Sequence, residues 1–179
     1  MLLLLINNFV KNFIELQEVL KGIFATERKY LEVSRKVQVP ELSRFLNHQN
    51  IVRNKYINDL TEAFAFNEIE LAVFDIEHGI IESDFNEINI ELNHKKQAYV
   101  SLVHSCLKLD QKLIKACIVC LKNNKIPLDI LEVLTKICTS LIFNGIDGNN
   151  KIEEFKAKEL EKQQIELQKN RSSYFYKNS

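Results

Sequence analysis

Carboxylates set inside apolar helical stripes are the residues of this sequence with the clearest chemical potential. Glu27 stands between Ile23/Phe24 and Leu31, and Asp110 between Leu107 and Ile114. A buried carboxylate without a partner costs several kcal/mol or takes up a proton, so each needs a reason. One reason is a polar partner such as Arg53, Tyr56 or Gln49 on a neighbouring helix, or a place at the edge of the core. The other is a metal ion. Iron or manganese takes oxygen ligands, and Glu153 would add a third acid from the last helix. A two-metal centre in a helical bundle, however, needs carboxylates from two helices and a Glu-x-x-His pair from each of the other two. No Glu-x-x-His lies on a core helix here, and the nearest acid–histidine spacing is Glu91-Leu92-Asn93-His94. The acids are too few for a di-iron oxidase. Polar partners are the leading reading, and a metal at Glu27, Asp110 and Glu153 is the lesser one.

Cys117-Ile118-Val119-Cys120 has the spacing of a redox motif, but no strand, glycine or proline precedes it. Two cysteines three apart on a helix could share a zinc ion with two further ligands. Cys106 is eleven residues away, about 16 Å along a helix axis, and cannot join them, whereas Cys138 could. The commoner role of such residues is as small apolar core members. His48 sits beside Asn47 and Gln49, His104 shares a polar face with Gln97, Ser101, Lys108 and Gln111, and His78 and His94 fall between helices. None has a second ligand at a telling spacing. A glycine-rich phosphate loop, a nucleophile elbow and the zinc-protease helix motif are all absent from the sequence.

Composition narrows the classes that remain. Lys and Arg total 24 and Asp and Glu 24, a zero net charge, where a protein that grips phosphates carries a basic surplus. The apolar start, Met1-Leu2-Leu3-Leu4-Leu5-Ile6, is too short for a membrane span, which takes about 20 residues. It also lacks the basic leader and small-residue cleavage site of a signal peptide. It reads as a greasy lead-in beside the first helix. The expected location is the cytoplasm, with Cys106, Cys117, Cys120 and Cys138 as reduced thiols.

With 4 Gly and 2 Pro in 179 residues, the chain has the turn formers for a few long elements and few loops. Apolar spacings of three and four predict helix A from about Asn8 to Val37 and helix B from Pro40 through Phe64. Pro40 ends the first and opens the second, where its missing N–H costs nothing. Helix C is predicted over about Asn93–Lys122. Helix D starts near Pro127 and carries one apolar stripe through positions 134, 138, 141, 145, 148, 152 and 155. That stripe favours a helix running on through Gly145 and Gly148 over a break there. Between Asn67 and Asn93 both periods occur; a long crossing segment with a short helix is preferred to an isolated antiparallel strand pair. After Phe155 the chain turns polar, and a helical overhang over 161–179 with a frayed end is expected.

Finer features of the sequence resemble a known family. Leu16-Gln17-Glu18-Val19-Leu20, Tyr30-Leu31, Pro40-Glu41-Leu42, Phe45-Leu46, Arg53-Asn54-Lys55-Tyr56 and Asp59-Leu60 look like the opening of a bacterial ferritin-like four-helix family catalogued as a domain of unknown function. Gly79, Phe85 and Ile88 are similar to its connection, and Leu109-Asp110, Leu113 and Ala116 to its third helix. Asn149-Asn150 departs from it, standing where the family often has His-Asp. The helical periods and the short connection between helices A and B predict an all-α, antiparallel four-helix bundle, and the resemblance implies its ferritin-like form, with a long connection between helices B and C. It also implies a stress-related setting. The expectation is a single bundle over 1–160, without catalysis or cofactor, that interacts with a protein partner or with its own copies. Phe9, Phe13 and the leading leucines offer one interface for this; neither nucleic acid nor membrane is an expected partner.

Overall fold

The computed structural model describes residues 2–69 and 95–177, with side chains over 14–69 and 97–170. Four helices are described: α1 (Leu2–Lys36), α2 (Pro40–Phe66), α3 (Lys95–Leu121) and α4 (Leu128–Lys177), and no strand occurs among the described residues. The proposed crossing helix or strand pair, with Gly79, Phe85, Ile88, His78 and His94, falls almost wholly on residues outside these.

Pro40 is the first residue of α2, and Val39 before it is extended at φ −94° and ψ 114°. This is the backbone that a following proline imposes. α1 begins earlier than expected. Leu2–Ile6 form its first turns, because leucine is a strong helix former and neither glycine nor proline separates them from Phe9. α4 runs unbroken through Asn144–Asn149 and on to Lys177, past the point where fraying was expected. Residues 161–170 are all exposed.

α1 packs on α2 and α3, and α4 packs on the same two helices, so the four close into a ring. Polar contacts mark the levels at which they meet. Asn50 Nδ2 donates to Glu27 Oε1 at 2.8 Å, and Asn123 Nδ2 to Glu15 Oε2 at 2.8 Å. Asn67 Nδ2 donates to Asp129 Oδ2 at 2.5 Å, and Lys158 Nζ lies 3.3 Å from Glu41 Oε1. Inside the ring the apolar residues form two clusters. One gathers Leu20, Ile23, Leu60, Phe64, Leu113, Cys117, Leu134 and Leu141. The other gathers Tyr30, Val33, Leu42, Leu46, Val103, Cys106 and Ile152. Gln49, Arg53 and Asp110 are buried as well, and belong to neither cluster.

The two glycines of α4 have different reasons to be there. A Cβ on Gly148 would stand 2.9 Å from both Leu107 Cδ2 and Phe45 Cζ, so α4 approaches its neighbours closely at that point. A Cβ on Gly145 would meet nothing within 4 Å. Gly145→Ala should therefore stabilise the fold by about 1 kcal/mol, the usual difference between these residues in a helix interior. At Gly148 the same change displaces Leu107 and Phe45, which offsets that gain. Thermal unfolding of both variants tests the contrast; a higher midpoint for Gly148→Ala than for Gly145→Ala would contradict it.

Candidate functional site

The polar group with most contacts in the core centres on Arg53, whose relative exposure is 0%. α2 delivers it inward on the same stripe as Gln49 and Tyr56, spaced four and three residues away, the helical interval for one face. Its Nη2 donates to Asp110 Oδ2 of α3 at 2.6 Å. Its Nη1 donates to the Gln49 backbone carbonyl at 3.1 Å and also to Gln49 Oε1. Tyr30 of α1 donates its hydroxyl to the same Asp110 oxygen at 2.6 Å. The guanidinium also lies over aromatic faces, with Cζ 4.2 Å from the Tyr30 ring centre and 6.0 Å from that of Tyr56. Such stacking suits arginine, a planar and weakly hydrated cation.

α4 joins through a second group. Tyr56 donates its hydroxyl to Ser140 Oγ at 2.6 Å, and Asn144 Nδ2 reaches Ser140 Oγ at 3.4 Å. Side chains of all four helices thus meet between the two apolar clusters. Arg53 Nε and Asp110 Oδ1 are buried with no hydrogen-bond partner among the described residues.

Burial sets the charge states. It pushes the Asp110 carboxyl above its ordinary range, against the pull of Arg53 and of the Tyr30 hydroxyl. Desolvation thus takes more than the partners return. Burial and the Asp110 charge raise the Tyr30 hydroxyl well above the usual tyrosine value. The Cys106 thiol is pushed up to about 12, first by burial and then by Asp110. Cys117 and Cys120 are likewise pushed up to about 12, mainly by burial, and Cys138 is raised for the same reason. A thiol held protonated is a poor nucleophile and a poor metal ligand. All four cysteines are free and buried. At neutral pH the Tyr30 hydroxyl and the Cys106 thiol therefore stay protonated, beside the Asp110 carboxyl held against the Arg53 guanidinium. Neither the protonated hydroxyl nor the protonated thiol is an activated nucleophile.

The three acids considered as metal ligands are not brought together. Asp110 is buried against Arg53. Glu27 is half-buried and accepts from Asn50, at the flank where α1 meets α2. Glu153 is exposed and paired with Lys156 at 2.7 Å. Among the described residues, no three His, Cys, Asp or Glu side chains are grouped to hold a metal ion. Iron or manganese would want several carboxylate oxygens around one point. Here the central carboxylate already faces a permanent cation, so these residues do not fit such a centre. His48 is exposed and His104 half-buried.

Arg53 was foreseeable as the partner of Asp110; Tyr30 was missed. Its signal was present, since Ile23, Tyr30 and Val37 recur every seven residues and a buried tyrosine hydroxyl seeks an acceptor. No helix among the described residues is long and apolar enough to cross a membrane. Comparison with protein-family models, curated proteins and solved structures yields no match.

Proposed function

We propose that this chain is a non-catalytic helical bundle of the ferritin-like kind, free of cofactor, whose role is protein interaction or assembly. The observation that carries this reading is Arg53. Its guanidinium puts a fixed positive charge in the middle of the bundle and answers the one acid buried there among the described residues. In a ferritin-like centre that charge would come from metal ions, which a neighbouring arginine repels. The stress-related setting implied by the resemblance, membership of that bacterial family and a cytoplasmic location are parts of the same proposal.

The antiparallel arrangement also belongs to it. Contacts pair late α1 with early α2, as in Ser43 Oγ donating to the Ser34 carbonyl at 3.3 Å, and earlier α1 with later α2, as in Glu27 with Asn50. Early α2 meets late α4 at Glu41–Lys158, and the end of α2 meets the start of α4 at Asn67–Asp129. The pairs Glu15–Asn123 and Tyr30–Asp110 order α1 against α3 in the same way. Every neighbour in the ring then runs opposite to the next. α2 and α3 then run the same way, an order that a ferritin-like bundle shares.

Elemental analysis of protein purified without chelators, before and after exposure to iron(II) and manganese(II), tests the reading. No stoichiometric metal is expected. Bound metal that disappears in Glu27→Ala would overturn it in favour of a metal-binding or redox bundle using Glu27, Asp110 and Glu153.

A further inference from the structure

The polar centre leaves two of its own atoms unanswered. Arg53 Nε and Asp110 Oδ1 are buried without a hydrogen-bond partner among the described residues. Their residues are 0% and 1% exposed, so bulk solvent does not reach either atom. Nε–H can only donate, while a carboxylate oxygen accepts. Both atoms belong to the same pair. Nε shares the carbon Cζ with Nη2, Oδ1 shares Cγ with Oδ2, and Nη2 meets Oδ2 at 2.6 Å. The unpaired donor and the unpaired acceptor therefore flank one short contact.

A guanidinium and a carboxylate can close two parallel bonds, one to each oxygen. Here that fork is half made. The Tyr30 hydroxyl donates at 2.6 Å to Oδ2, the oxygen that Nη2 also uses, so one oxygen serves two donors and the other serves none. Nη1 is taken up by Gln49. A buried polar group with an open bonding position is costly in a low-dielectric core. A cation between the two atoms would be repelled by the guanidinium, and an anion would lie against the carboxyl oxygen. A neutral group that both donates and accepts satisfies the two positions, and water is the smallest. It can join atoms that stand up to about 5.7 Å apart, two hydrogen bonds of ordinary length. The apolar clusters part at this level, since Gln49, Arg53 and Asp110 lie outside both.

We propose that one water molecule is built into the core of the bundle, accepting from Arg53 Nε and bonded to Asp110 Oδ1. Buried waters make about three hydrogen bonds. Cys106 supplies the third neighbour: it is fully buried, stands one turn before Asp110 on α3, and its thiol feels the Asp110 charge. The water serves either state of Asp110. It donates to Oδ1 when the carboxyl is ionised and accepts from it when Oδ1 carries the proton. The proposal adds to the metal-free reading without resting on it.

A high-resolution crystal structure of the full chain, paired with oxygen-17 relaxation dispersion in solution, is the test. An ordered water is expected about 2.7–3.2 Å from both Arg53 Nε and Asp110 Oδ1. In solution, Arg53→Met combined with Asp110→Leu should hold one long-lived internal water fewer than the parent, at equal helical circular dichroism. Arg53 Nε bonded directly to Asp110 Oδ1 overturns the proposal, as does a side chain of this protein closing on both atoms. A double variant that keeps the full count of long-lived waters overturns it as well. These failures leave the metal-free reading standing. A peak within about 2.2 Å of Oδ1 would instead be a metal ion, and would overturn both.

Discussion

Arg53→Met is expected to lower the unfolding free energy by about 3–5 kcal/mol, because it strands a buried carboxylate. Asp110 and Arg53 meet at 2.6 Å, with side-chain exposures of 2% and 0%. Without the guanidinium, Asp110 keeps the Tyr30 hydroxyl and must take up a proton to stay inside. The loss is a large part of the total stability of an ordinary domain, about 5–15 kcal/mol. It does not follow that the pair stabilises the fold. Burial raises the Asp110 carboxyl despite both partners, the mark of a pair whose desolvation exceeds its attraction. Arg53→Met combined with Asp110→Leu should therefore recover most of the loss, and Tyr30→Phe added to the two removes the remaining orphaned donor. Guanidinium unfolding of the four proteins decides the matter. A double variant as weak as Arg53→Met would mean that the pair stabilises outright.

The second large effect comes with alkali. Cys106, Cys117 and Cys120 have thiols pushed up to about 12 in the folded chain, while an unfolded thiol titrates near 8.5. Their protonated burial favours folding fully below the unfolded value. That contribution is lost progressively as pH rises towards the folded one. Within the window each thiol removes about 1.4 kcal/mol per pH unit, since the unfolded chain sheds a proton that the folded chain keeps. Three such thiols make the slope steep, and Tyr30, raised by the same burial, steepens it further above the ordinary tyrosine value. The expected result is a guanidinium midpoint that holds up to about pH 8 and falls sharply by pH 10. Replacing all three cysteines with alanine should flatten the curve. An unchanged slope in that variant would assign the alkaline loss to other groups.

The phase of α1 shows where the sequence was legible and where it was not. Spacing identified the helix, and of its expected stripe Leu16, Leu20, Ile23 and Val37 are buried, but that stripe also took in Phe24 and Leu31, which are half-buried, and left out Tyr30. The buried one runs through Ile23, Thr26, Tyr30, Val33 and Val37. That small rotation moves Glu27 from the core to the flank beside Asn50, and brings Tyr30 in to Asp110. A helix with apolar residues on more than half its circumference does not declare from its own pattern which of them face inward; its neighbours decide. Glu153 was drawn into the candidate site for the same reason. It adjoins the buried Ile152, yet one residue of rotation turns it out to Lys156. Pro40 was legible to the residue because proline constrains its own backbone and that of the residue before it. Arg53 was legible because a buried acid needs a cation or a donor, and α2 had one at the right interval.

The reach of α4 beyond its neighbours has a thermodynamic consequence. Residues 161–170 are exposed throughout, with Lys162 paired to Glu159 at 3.0 Å at the root of the segment. A free helix of that length would be marginal in water, chiefly because its first turn is hard to start. Here the start is already made, since the packed part of α4 is the nucleus on which the rest extends. Each further residue then adds a propagation factor of only about 1–1.6, so the overhang shortens from its free end by degrees as temperature rises. Ellipticity at the helix band should slope downward well before tyrosine signals from Tyr30 and Tyr56 change. The two probes will disagree even if the bundle itself unfolds in one step. Non-coincident melting curves, the ordinary sign of an intermediate, would in this protein report a mast dissolving above a bundle still intact.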